Sequence, residues 1–109
     1  MEEQLDLLAI AAHPDDAELG CGGILAKHAA LGYRVGILDL TEGQLGTRGS
    51  VAERRLEAAQ ASKVLGLSAR HNLGFDDGRF LVDEVHRNAV MTQIRRFRPK
   101  VLLINAPSD

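Results

Sequence analysis

The sequence predicts an α/β fold with helices on both faces of a mainly parallel sheet. Two observations carry that expectation. Strand-like and helix-like patterns alternate, strand then helix three times, followed by a last strand. The clearest strand, residues 5–12 (LDLLAIAA), lacks strict polar alternation, so both of its faces are expected to be buried. Crossovers long enough to hold a helix join strands that run parallel.

Each element has its own signals. Residues 17–31 read as a helix, although Gly20, Gly22 and Gly23 weaken it. Close approach to the sheet or to a ligand is the expected use of those glycines, and Gly32 is a good stop. Residues 34–40 (RVGILDL) form the second strand. Residues 41–50 (TEGQLGTRGS) hold three glycines and read as a mobile loop at the same sheet edge. Residues 51–65 form the second helix, ended by Gly66, with Ala58, Ala61 and Leu65 as its apolar stripe. Residues 71–73 are a weak third strand, followed by a turn built on Asp77-Gly78. Residues 83–97 form the third helix, with Val90, Ile94 and Phe97 on one face. Pro99 follows it, and residues 101–104 form the fourth strand. The expected architecture is a Rossmann-like three-layer α/β/α arrangement, of which residues 1–109 form an N-terminal portion. A four-stranded sheet with no covering helix after its last strand reads as unfinished, so a continuation is expected.

Composition narrows the function. At 109 residues the chain makes one domain at most. Apolar residues are 45% and charged residues 26%, as in ordinary globular proteins. A net charge of −2 gives no electrostatic reason to bind nucleic acid or an anionic membrane. The apolar runs are too short to span a bilayer, and the start, Met1-Glu2-Glu3, does not resemble a signal peptide. Cys21, the single cysteine, has no partner for an internal disulfide. A cytoplasmic protein is expected.

Chemistry concentrates in residues 11–18, Ala-Ala-His-Pro-Asp-Asp-Ala-Glu, between the first strand and the first helix. Ligands in open α/β sheets bind at the carboxyl ends of strands. Pro14 fixes its own φ and biases His13 towards extended geometry, so His13 and Asp16 can point into one space. Imidazole nitrogen and carboxylate oxygen both suit a zinc-like metal. A purely structural reading stands beside this one: Asp15 with Glu18 fits a D-x-x-E capping box. A cap does not account for the second aspartate or for a histidine just after a buried strand. Arg54 lies one turn before Ala58 on the apolar stripe. Either it snorkels at the helix edge or it faces a ligand there.

Rival chemistries fit less well. The topology suits a dinucleotide, and Asp39 lies where a ribose-binding acid would sit. The G-x-G-x-x-G fingerprint is missing after the first strand, however, and Asp15 and Asp16 would repel a pyrophosphate. No G-x-S-x-G elbow supports a serine hydrolase. Cys21 reads as a small packing residue. His28 and His86 read as helix-surface residues and His71 as a strand-edge residue.

The motif AHPDDAELGCGG resembles the signature of the PIG-L/LmbE-like zinc-dependent N-acetylglucosaminide deacetylases. LDLTEGQLGTRGS, Arg54-x-x-Glu57-Ala58, NLGFDDG and IRRFRPKV are similar to the branch that deacetylates N-acetylglucosaminyl malate in bacillithiol biosynthesis. The resemblance implies zinc, with His13 and Asp16 as ligands, Asp15 as general base and Arg54 as a substrate or oxyanion contact. It also implies a small-molecule N-acetylglucosaminyl substrate and, for the full-length form, a homo-oligomer. Members of that family carry a second motif, H-P-D-H, whose last histidine is the third ligand. Residues 1–109 lack it.

Overall fold

The computed structural model describes residues 4–14, 16–42, 50–75 and 83–104. Seven elements follow in order: β1 (Leu7–Ala11), α1 (Asp16–Ala30), β2 (Val35–Thr41), α2 (Val51–Leu65), β3 (Ala69–Phe75), α3 (Glu84–Phe97) and β4 (Val101–Ile104). The four strands form one all-parallel sheet in the order β3-β2-β1-β4. The expected α/β class is therefore observed.

The central strands are apolar on both faces because both faces are covered. Leu7, Ala9 and Ala11 of β1 join Val35 and Ile37 of β2 beneath Ala17 and Leu25 of α1. On the opposite face Leu5, Leu8 and Leu38 pack with Phe97 of α3. A fully covered leucine such as Leu8 contributes about 2–3 kcal/mol. Gly36 permits this closeness. A Cβ there would lie 2.8 Å from Leu5 Cδ1 and 3.0 Å from the Ala69 carbonyl oxygen.

The helix ends follow their local chemistry. Ser50 Oγ accepts from Glu53 N–H to cap α2, and Gly66 closes it at φ 76° in the left-handed region. Asp83 caps α3 by accepting from His86 N–H at 2.8 Å. Ala58, Ala61 and Leu65 are each half-buried, so the α2 stripe is the packed side. Leu56 and Val64 lie exposed off it.

Two expectations are corrected. β3 is a seven-residue strand, not a weak three-residue one, because its pairing with β2 sustains it despite Arg70, His71 and Asn72. The α1 glycines do not meet the sheet. A Cβ at Gly20 or Gly23 would meet nothing within 4 Å, and one at Gly22 would touch only Leu65 of α2. Instead α1 is kinked at Cys21 (φ −143°, ψ 19°). Residues 43–49 of the glycine-rich stretch and the Asp77-Gly78 turn lie outside the described residues. No helix among the described residues is long and apolar enough to cross a membrane.

Acid sensitivity is expected from Asp6, just before β1, and from Asp83, which caps α3. Asp6 Oδ2 accepts from Arg34 N–H at 2.8 Å, which holds its carboxyl below the ordinary 3.8. Asp83 is held low in the same way by His86 N–H. For a lowered carboxylate, the stabilisation is complete above the ordinary value and is lost as pH falls through the folded value. The contribution of these two carboxylates should be complete at neutrality and be lost below about pH 4, read as a fall in the thermal melts. Asp6→Asn should reduce that fall.

Candidate active site

Because the strands are parallel, the turns after β1, β2 and β3 all leave from one edge. The turn after β1 is anchored first through its backbone. Thr41, at the end of β2, donates from N–H (2.9 Å) and from Oγ1 (3.0 Å) to the Ala12 carbonyl. His13 follows directly, and Asp16 N–H donates to the His13 carbonyl at 3.2 Å. In return His13 N–H donates to Asp16 Oδ2 at 3.2 Å. His13 Nδ1 lies 3.5 Å from the same Asp16 oxygen, with side chains 42% and 36% exposed. The turn therefore brings the imidazole and the Asp16 carboxylate together, open to solvent. Asp15 lies outside the described residues.

Beside this turn is a cleft of about 390 Å³. Pro14, Asp39, Arg54, Arg55, Arg70 and Asn72 are among its lining residues. Arg54 is half-buried on α2 and, among the described residues, its guanidinium has no hydrogen-bond or ion-pair partner. Arg55 is engaged by a fork of two bonds to Glu42. That bond holds the Glu42 carboxyl below its ordinary range. Asn72 Nδ2 donates to the Thr41 carbonyl at 2.7 Å, while its Oδ1 accepts from Gly74 N–H at 2.7 Å. Gly74 needs its freedom, since its φ is 69°. The first of these bonds ties β3 to the end of β2 at a break in their register, and the second lies within β3.

The residue that sequence reasoning missed is Arg70. Its Nε and Nη2 donate to Asp39 at 2.8 and 3.1 Å. Its Nη1 and Nη2 donate to Glu18 at 3.2 and 3.1 Å. Nη1 also reaches Ser62 Oγ at 3.3 Å. One guanidinium so joins β3, β2, α1 and α2. Burial pushes the Asp39 carboxyl up, the Arg70 bonds pull it back, and the nearby Glu18 and Asp16 charges push it up again. The net direction is upward. A charged residue inside a parallel strand needs a buried partner, and that was the available signal.

Two sequence alternatives change standing here. Both oxygens of Asp39 are taken by Arg70, so the acid suited to a ribose is already engaged. Glu18 gives both oxygens to Arg70, so the glutamate half of a capping box is used elsewhere. Cys21 packs against the core cluster, as a small apolar residue would, and burial raises its thiol. His28 Nδ1 lies 2.8 Å from the Ile24 carbonyl oxygen, and His86 Nδ1 lies 2.7 Å from Asp83 Oδ1. Among the described residues no three His, Cys, Asp or Glu side chains converge as a metal site.

Known proteins share both the sequence and the shape. The chain is 44% identical over 73 residues to the uncharacterized deacetylase YaiS of Escherichia coli K12, covering 67% of this chain and 39% of the relative. It is 35% identical over 108 residues to the diacetylchitobiose deacetylase of Thermococcus kodakarensis, covering 93% and 40%. Among solved structures, the conserved protein TT1542 of Thermus thermophilus superposes with a TM-score of 0.88 at 50% identity, covering 91% and 45%. The chain thus spans less than half the length of these relatives. The family model PIG-L, described as GlcNAc-PI de-N-acetylase, matches residues 8–109. A match over nearly the whole chain, on the strand, turn and helix that place His13 and Asp16, makes this chain a member of the PIG-L family.

Proposed function

We propose that the protein carrying this chain is a zinc-dependent N-deacetylase. Its substrate would be an N-acetylglucosaminyl conjugate, with N-acetylglucosaminyl malate of bacillithiol biosynthesis as the favoured one. The observation that carries the reading is the His13–Asp16 pair, a nitrogen and an oxygen donor 3.5 Å apart and open to solvent beside a cleft. Ligands at 2.0–2.1 Å on the corners of a tetrahedron stand about 3.4 Å apart. The donor types and their spacing therefore fit zinc. His13 and Asp16 would hold it as two of the three protein ligands that a catalytic site uses. The third would come from an H-P-D-H motif, which residues 1–109 do not contain.

Bound zinc would supply a water of pKa about 7 and polarise a carbonyl. The chain's own residues would do the rest. Asp15, next to Asp16 in sequence, would take the proton from the attacking water. The water oxygen would join the acetamide carbon, the C–N bond would break as the proton taken by Asp15 passes to the departing nitrogen, and acetate and the free amine would leave. Arg54, which lines the cleft without a side-chain partner among the described residues, would meet the charge that develops on the acetamide oxygen. The single cysteine fits a cytoplasmic setting.

Two measurements on the full-length protein test the reading. His13→Ala and Asp16→Ala should each remove most bound zinc, and stoichiometric zinc in both variants would overturn the ligand assignment. Acetate release should be compared on N-acetylglucosaminyl malate, diacetylchitobiose and free N-acetylglucosamine. Release from none of them rejects the deacetylase reading. A preference for diacetylchitobiose, the substrate named for the Thermococcus relative, rejects the malate conjugate alone.

A further inference from the structure

We infer that Arg70 is a positioning residue for the His13–Asp16 turn. The inference rests on the metal reading above and adds a residue on the cleft wall whose guanidinium is taken up by protein carboxylates. The turn has two anchors. Upstream, Thr41 fixes the Ala12 carbonyl through two hydrogen bonds. Downstream, Glu18 lies two residues beyond Asp16, in the first turn of α1, and both its oxygens are held by Arg70. Arg70 is itself fixed by Asp39, which pairs in register with Ala11, the last residue of β1. The path therefore closes on itself. It runs from the end of β1 across to β2, through Arg70 on β3, and back through Glu18 to the helix that carries Asp16.

The burial suits that task. The side chains of Arg70, Asp39 and Glu18 are 11%, 2% and 15% exposed. A planar guanidinium forked onto two carboxylates fixes direction as well as distance. Without the fork, the first turn of α1 would keep Ala17 in the core but lose its side-chain tie to β2 and β3. The His13–Asp16 spacing would then rest on their own two hydrogen bonds alone. Outer groups that orient metal ligands are commonly worth 10–100-fold in affinity.

The test uses charge-conserving variants of the full-length protein, so that only geometry changes. Glu18→Asp keeps the carboxylate but shortens its reach to Arg70. Arg70→Lys keeps the cation but cannot fork onto both carboxylates. Zinc affinity is measured by chelator competition at 10 °C, where circular dichroism shows each variant folded, together with kcat and KM. The expected result is zinc binding weaker by roughly tenfold or more and a lower kcat with KM little changed. If Arg70→Lys does not fold, Glu18→Asp decides alone. Wild-type zinc affinity in folded variants, with or without a lower melting temperature, overturns the positioning role. His13→Ala run alongside separates the two readings. If it too keeps full zinc affinity, the metal assignment has failed; if it loses zinc while the charge-conserving variants keep it, only the role of Arg70 has failed.

Discussion

Asp15→Asn in the full-length protein should lower the deacetylation rate by roughly a hundredfold or more while leaving zinc bound. Asparagine keeps the size of the side chain and most of its ability to cap a helix. It cannot accept the proton of the attacking water. The experiment therefore separates the base from the cap, which share one residue. Turnover near that of the wild type at neutral pH rejects Asp15 as the base. A variant that fails to fold favours the structural role instead. The zinc content must be read beside the rate, because Asp15 adjoins the proposed ligand Asp16.

The largest effect on stability is expected from Arg70→Met. Two carboxylates face this guanidinium, and Asp39 is almost wholly buried. Methionine would leave them facing each other with no counter-charge. Removing one partner of a buried ion pair typically costs about 3–5 kcal/mol. Whole domains are stable by only about 5–15 kcal/mol, so the melting temperature should fall by about 10 °C or more. Adding Asp39→Asn to Arg70→Met should restore part of the loss, since one of the two stranded charges is gone. A loss below about 1 kcal/mol in the single variant would mean that the carboxylates accept protons or water without penalty, and that the network contributes little.

The order of elements was legible because each is written locally. Residues 5–12 are apolar at odd and even positions alike, and β1 is covered on both faces. Ser50 and Gly66 bracket α2, whose span Val51–Leu65 matches the sequence reading. Gly32, with φ 95°, follows α1 as its stop. The His13–Asp16 pairing was legible for the same reason, since three residues and one proline set it. What stayed hidden depends on register. Arg70 meets Asp39 across 31 positions of sequence because Ile37 pairs with Arg70. No local pattern states that register. Glu18 likewise looked like half of a cap until a strand 52 residues away supplied its partner. The sheet contact expected of the α1 glycines is not made, because composition gives their permissiveness but not which neighbour they face.

The two ends of the described chain are stitched side by side, and this bears on how the protein is made. β1 pairs with β4, Leu5 N–H donates to the Phe97 carbonyl, and Gln4 reaches the Arg98 carbonyl across 94 positions. A ribosome adds about 5–20 residues each second. After the first strand emerges, on the order of 5–20 s pass before its fourth-strand neighbour exists. Throughout that interval one edge of β1, a strand covered on both faces, is open, and the contact that closes it is among the least local of the described residues. Such distant pairings fold slowly and expose strand edges to other chains. Nascent chains that stall between residues 65 and 100 are thus the ones in which chaperone capture or aggregation should concentrate, with β1 as the segment engaged.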